Sequence, residues 1–283
     1  MFSVFLINMD LARERRERMR SLFKAFGLEY ERIAAVDGST LSDDTIKGLV
    51  RLSPGMAPPT PAQVGCFLSH RMAWERVANG DRDYGLILED DAIFARNFRS
   101  VVANRKLFRG SPDIIRLEGW PDVVLTSGGS KRIGHGYRLH NLTWDTYGTC
   151  GYLVSRRAAK ALLKMAEHYT SPIDHMLFTA SSDIYQTLDI KALVPAACYQ
   201  YLWYHGEAEG PLASTIPSLA HSTSESPPPP KLEKEKEPLS VKIFKELKRT
   251  RIKVTRLANG QRWKSIDLHP IGPLNLTVHL SDI

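Results

Sequence analysis

Short apolar runs alternate with helically spaced apolar residues through about residue 120, and this alternation limits the fold more than any other feature of the chain. Val4 to Asn8 fits a buried strand, and Leu11, Met19, Leu22, Phe23 and Phe26 follow at helical spacing before Gly27. Ile33-Ala34-Ala35-Val36 reads as a second strand, closed by the tight exit Asp37-Gly38. Thr60 and Pro61 form an N-cap and first turn, from which Val64, Phe67, Leu68, Trp74 and Val77 continue a helix to Gly80. Cys66, Ser69 and His70 lie on that helix. Gly85-Leu86-Ile87-Leu88, Asp113 to Leu117 and Cys150 to Val154 are further strands, the last followed by a helix that Ser155 caps. The pattern predicts an α/β layered domain with a mixed, mainly parallel sheet. Ligands of such sheets gather at the carboxyl ends of strands, where Asn8, Asp10, Asp37 and the run Glu89-Asp90-Asp91 all fall.

The 283 residues can bury one large core and carry an appendage. Beyond about Leu219 the character changes: Ser222 to Ser226 and Pro227 to Pro230 give way to alternating Lys and Glu, too poor in apolar residues to pack. The expected division is a main domain over 1–220, a Pro-rich charged linker over 221–239 and a basic amphipathic segment over 240–283. That last segment holds nine Lys or Arg against three acidic residues, which is six of the net seven positive charges, so the basic balance belongs to a tail. Its interleaved Val241, Ile243, Phe244, Leu247, Ile252 and Val254 suit an anionic membrane surface over 240–264, or a charged helix packed on the main domain. Nucleic acid comes third, because Phe244 and Trp263 are its only aromatics and stacking platforms want more.

Cys66, Cys150 and Cys198 are an odd set at wide spacing, giving neither a disulfide framework nor a zinc pattern. The apolar opening lacks a basic region before it and meets Asn8 and Asp10 at once, unlike a signal peptide, and no run approaches the roughly 20 apolar residues of a membrane span. The expected address is cytoplasmic, with the tail allowing a peripheral position on the inner face of the membrane.

Three adjacent carboxylates at a strand end repel one another, and a fold that gathers them in a concave site normally supplies a cation. Oxygen ligation suits Mn²⁺ or Mg²⁺, ions that keep waters and bridge to substrate phosphates. The plainer reading makes Asp90 or Asp91 the cap of a following helix and Glu89 a solvated strand end.

Several segments together resemble glycosyltransferase family 25, the lipooligosaccharide and collagen galactosyltransferases. They are Phe5 to Asp10 with the Arg-rich helix after it, Glu31 to Gly38, Gly65 to His70, Ile87 to Asp91, Gly151 to Ser155, and Pro172-Ile173-Asp174. Their order and spacing hold across roughly residues 3–200. The resemblance implies a nucleotide-sugar transferase fold of the A type (Rossmann-like), a divalent cation, a UDP-sugar donor and transfer with inversion. It casts 1–220 as a catalytic domain and the acidic run as the metal and diphosphate motif, with Glu89 and Asp91 as the metal pair and Asp90 on the nucleotide. The run departs from the commoner Asp-x-Asp spelling, which leaves the pair of ligands open.

Asn8, Asp10 and Asp37 then fall where such folds hold the nucleoside, although turn chemistry explains Asp37-Gly38 equally well. Inversion by direct displacement needs one base for the acceptor hydroxyl, assigned to Asp174, with Glu118 and Asp183 as rivals. A helix-start role is the competing view of Asp174. His70 is expected to line the site, though a lone helix histidine is more often hydrogen-bonded in a core.

The leading expectation is transfer of a hexose, galactose favoured, from a UDP-sugar to a glycan or lipid-linked glycan acceptor in lipooligosaccharide or lipopolysaccharide biosynthesis. A Mg²⁺ phosphohydrolase or phosphotransferase is the alternative enzyme, weakened by Asn8 where its nucleophilic Asp belongs. A membrane or nucleic-acid adaptor working through the tail is the non-enzymatic alternative.

Overall fold

A computed structural model describes residues 2–119, 124–142, 145–201 and 264–266. The expected linker over 221–239 lies outside the described residues, as does the 240–283 segment apart from the backbone of Lys264–Ile266. The chain runs β1 (Phe2–Asn8), α1 (Arg13–Phe26), β2 (Glu31–Ala34), α2 (Asp43–Leu49), α3 (Pro61–Asn79), β3 (Tyr84–Glu89), β4 (Ala92–Phe94) and α4 (Phe98–Val102). It continues through β5 (Ile114–Arg116), β6 (Val124–Gly134), β7 (Tyr137–Leu142), β8 (Gly151–Ser155), α5 (Arg156–Met165), α6 (Ile173–Phe178), α7 (Asp183–Thr187), β9 (Ile190–Val194), β10 (Cys198–Gln200) and β11 (Lys264–Ile266).

Nine strands form one mixed sheet in the order β11-β6-β7-β9-β5-β8-β3-β1-β2, and β10 pairs with β4 in a small second sheet. The parallel pairings are β1 with β2, β1 with β3, and β5 with β9. β8 runs antiparallel between β3 and β5. The reason lies in its entry: Gly151 starts β8 opposite Leu88, at the end where β3 finishes, so no crossover helix turns the chain around. The hairpin of β6 and β7, and strands β9 and β10, have no counterpart in the sequence reading.

Strand alternation divides the core in two. Val4, Leu6, Leu86 and Leu88 face Met19, Leu22 and Phe23 of α1 and Phe98 of α4. Phe5, Ile7 and Ile87 face Phe67, Trp74 and Val77 of α3, together with α5 and α6. Each of these large side chains contributes about 2 kcal/mol by leaving water. The helix ends obey local chemistry. Thr60 and Gln63 close a reciprocal capping box at Pro61, and Ser155 accepts from the Ala158 amide at the start of α5. Left-handed Gly27 ends α1, letting the Leu28 amide reach back to the Phe23 carbonyl. Among the described residues no helix is long and apolar enough to cross a membrane.

Candidate active site

A cavity of about 440 Å³ opens at the carboxyl ends of β1 and β3. The 35–39 segment after β2, the first turns of α3 and Gln200 of β10 complete its wall. Two glycines let the 35–39 segment lie against α3. A Cβ on Gly38 would sit 1.7 Å from the Pro61 carbonyl oxygen, and one on Gly65 would sit 2.5 Å from that of Val36. Ser69 fastens the contact, accepting from the Val36 amide at 2.9 Å and donating to the Gly65 carbonyl at 2.7 Å.

The acidic run crosses the floor of this cavity. Asp90 and Asp91 form the turn between β3 and β4, and because a strand follows, the helix-cap reading of these two residues is corrected. Strand alternation turns Glu89 to the side of Ile87, toward α3. There its Oε1 accepts from the Thr149 hydroxyl at 2.6 Å and lies 3.1 Å from His70 Nε2. Burial pushes the Glu89 pKa up, but His70, Thr149 and Arg15 together outweigh it and hold the carboxyl below its ordinary value.

Asp90 is compensated by the protein itself. Its Oδ1 lies 3.3 Å from an Arg15 guanidinium nitrogen, and its Oδ2 accepts from Asn8 Nδ2 at 2.6 Å. Arg18 donates to the carbonyls of Asp90 and Ala92, tying the turn to α1. Burial raises the Asp90 pKa, opposed by Arg15 and Asn8. Among the described residues Asp91 has no such cation at contact distance, and the Arg15 and Arg18 charges reach it only from farther off. It is 5% exposed, the Gln200 side chain bonds it, and its Oδ1 is buried with no hydrogen-bond partner among the described residues. Burial first, then the charges of Glu89 and Asp90, push its pKa up to about 7.

The other residues singled out from sequence divide. Asp37 lines the cavity, but its carboxylate is occupied as the cap of a short 3₁₀ turn, accepting from the Ser39 amide and hydroxyl. Those bonds lower its pKa. Asn8 also lines the cavity, yet its amide is spent on Asp90, Ala12 and Arg32, so it positions the acidic turn. Asp10 does not line the cavity: its side chain is 77% exposed and pairs with Arg32. His70 lines the cavity and is fully buried, with both ring nitrogens in hydrogen bonds. Asp174 lies outside the cavity lining, in the first turn of α6, accepting from the Gly148 and His175 amides.

Of the two rivals of Asp174, Asp183 is exposed at the start of α7. Glu118 is 2% exposed, and burial above all pushes its pKa up to about 8. Arg15, Arg18, Thr149 and Gln200, which hold the acidic run, were not singled out from sequence as site residues.

The site fits a divalent cation on the chemistry of its donors. The partnerless Asp91 Oδ1 and Glu89 Oε2, to which no hydrogen bond runs among the described residues, are hard oxygen donors on residues lining one cavity. Cys66, His70 and Glu89 also place ligand atoms within 4.8 Å of one another. That trio is the poorer site. Burial and the Glu89 charge raise the Cys66 pKa well above its ordinary value, which keeps the thiol protonated, and the His70 nitrogens are engaged.

An α/β sheet with an acidic strand end over a cleft defines a candidate ligand-binding site. The sequence profile of glycosyltransferase family 25 (LPS biosynthesis protein) matches residues 1–177, and the chain belongs to that family. A glycosyltransferase 25 family member of Aedes aegypti is 33% identical over 175 residues, 57% of this chain and 28% of its own length. Procollagen galactosyltransferase 1-B of Xenopus laevis is 27% identical over 179 residues, 56% of this chain and 28% of its own. A mouse relative named inactive glycosyltransferase 25 family member 3 is 32% identical over 190 residues, 62% of this chain and 31% of its own. The matches thus span under a third of these relatives.

Proposed function

We propose that the chain transfers a hexose, galactose favoured, from a UDP-sugar to a glycan acceptor with inversion, using a divalent cation held by Glu89 and Asp91. The observation that carries this reading is the buried Asp91 oxygen that no group among the described residues satisfies, beside a second carboxylate in the same cleft. Leaving such an oxygen unpartnered costs about 1–3 kcal/mol, more if it is ionised, and a bound cation removes that cost. Family membership and the procollagen galactosyltransferase name of a relative support a galactosyltransferase-type activity. The family description supports an acceptor in lipopolysaccharide biosynthesis.

A divalent cation held by Glu89 and Asp91 would supply electrostatic stabilisation of a departing nucleoside diphosphate. The chain's own residues do the rest. Arg15 neutralises Asp90, Asn8 donates to it and Arg18 holds the turn by its carbonyls, so that the turn presents Asp91 to the cleft. The 35–39 backbone, locked against α3, forms the wall for the nucleoside. Asp174 takes the acceptor proton. It is only half-buried, unlike Glu118, and Gly148, which donates to it, precedes the Thr149 that holds Glu89. The basic tail holds the enzyme against an anionic membrane that carries the acceptor.

The test is a donor screen by nucleotide release, with and without Mn²⁺. Mn²⁺-dependent release of UDP from UDP-galactose is the expected result. Silence with every UDP-hexose, in a protein that also fails to bind UDP, overturns the reading and groups this chain with the relative named inactive.

A further inference from the structure

Behind Glu89 a chain of buried polar groups runs into the core. The Trp74 indole donates to the Tyr152 hydroxyl at 2.9 Å, that hydroxyl lies 2.9 Å from His70 Nδ1, and His70 Nε2 lies 3.1 Å from Glu89 Oε1. Trp74 sits one turn after His70 on α3, and Tyr152 enters from β8. All three side chains are fully buried, so water cannot replace any partner.

We propose that Trp74, Tyr152 and His70 are positioning residues that fix the imidazole proton on Nε2, so that Glu89 Oε1 is held by His70 and Oε2 is the oxygen left for a cation. The hydrogens these groups carry fix the position of the ring proton. An indole N–H only donates, so the Tyr152 oxygen accepts from Trp74. The phenol has one hydrogen of its own, which burial keeps in place by raising its pKa well above the ordinary value. Its remaining neighbour at hydrogen-bond distance among the described residues is Nδ1, so the hydroxyl donates there and Nδ1 carries a lone pair. The ring proton is then on Nε2, facing a carboxylate that can only accept.

The opposite tautomer fails at both ends. It strands the Tyr152 hydrogen in a dry core and sets the Nε2 lone pair against the lone pairs of Glu89. Thr149 donates to the same Oε1 from β8's approach loop, so that among the described residues two donors converge on one oxygen and none on the other. Which oxygen of Glu89 is left for a cation is therefore set three hydrogen bonds away, at a fully buried indole.

The cation half of this inference rests on the proposed function, whereas the proton position stands alone, and the experiment separates them. The full chain is labelled with ¹⁵N-histidine, and a His70→Gln spectrum identifies the His70 signals among nine histidines. A single neutral Nε2–H tautomer is expected. An Nδ1–H or doubly protonated ring overturns the proposal. Tyr152→Phe deletes only the hydroxyl and is expected to mix the tautomers.

Mn²⁺ binding, read from the free-ion paramagnetic signal with and without UDP, is expected to weaken about ten- to a hundredfold in Tyr152→Phe and His70→Ala. His70→Gln, which keeps an N–H toward Glu89, is expected to recover most of that affinity. Folded variants that bind Mn²⁺ like the wild type overturn the proposal. A wild type with the Nε2–H tautomer and no Mn²⁺ binding at all supports the proton position while overturning the cation role and the proposed function with it.

Discussion

Asp90 and Asp91 are neighbours in one turn and are buried to 6% and 5% exposure, yet opposite chemistry surrounds them. The α1 side of the turn is closed electrostatically: Arg15 pairs with Asp90, Asn8 donates to it, and Arg18 clamps the carbonyls around it. On the cleft side, among the described residues, Asp91 holds one oxygen without a hydrogen-bond partner and Glu89 presents one oxygen without a donor. Burial alone therefore does not mark a functional carboxylate. What separates the two is contact: Arg15 pairs directly with the Asp90 carboxylate, whereas Asp91 feels the Arg15 and Arg18 charges only at a distance.

The largest effect expected from this contrast is on stability. Arg15→Leu strands a buried carboxylate, and the loss in chemical denaturation should be about 3–5 kcal/mol. An unchanged midpoint would erase the distinction between the two sides. Next comes Asp91→Asn, which should lower transferase activity about a hundredfold or more while leaving the melting temperature of the metal-free protein unchanged or raised, because a neutral amide ends the repulsion with Glu89 and Asp90. Equal destabilisation by Asp91→Asn and Arg15→Leu would place both carboxylates in the structural class.

Glu118 sharpens the comparison as a buried acid that also has an oxygen without a partner but does not line the cleft. Its folded pKa of about 8 lies above the ordinary 4.5, so the folded state binds the extra proton between those values. The stability it contributes is present below about pH 4.5 and is lost as pH rises through about 8. Wild type measured against Glu118→Gln should therefore lose ground steadily over that window, and Mn²⁺ should not restore it. A flat difference would show that Glu118 titrates alike in the folded and unfolded chain. The smallest effect belongs to Asp10→Ala, an exposed ion pair with Arg32, which should cost less than about 1 kcal/mol and leave activity intact.

Much of the frame is legible in the sequence because it is local. The Thr60-Pro61 start of α3, the Ser155 cap, the apolar run into Glu89-Asp90-Asp91 and the Asp37-Gly38 exit each depend on a few adjacent residues, and the structure has them where the pattern puts them. The partners of the acidic run were not legible, because they come from far along the chain. Arg15 and Arg18 stand among five arginines between Arg13 and Arg20, and only the rotation of α1 on the sheet selects them. Thr149 and Gln200 arrive through antiparallel pairing of β8 with β3 and of β10 with β4, which no local periodicity announces. Asp10 misled for the complementary reason: two residues past the strand end the chain has already turned outward, and its carboxylate meets Arg32 at the surface.

Calorimetric titration of UDP into the protein, with and without Mn²⁺, in the wild type and in Asp91→Asn, reaches the centre of this account most directly. UDP should bind the wild type tightly only when Mn²⁺ is present, and the metal-dependent heat should vanish in Asp91→Asn. Equal binding with and without Mn²⁺, or metal-dependent binding that survives in Asp91→Asn, would contradict the assignment of the open side of the turn to a cation and its diphosphate.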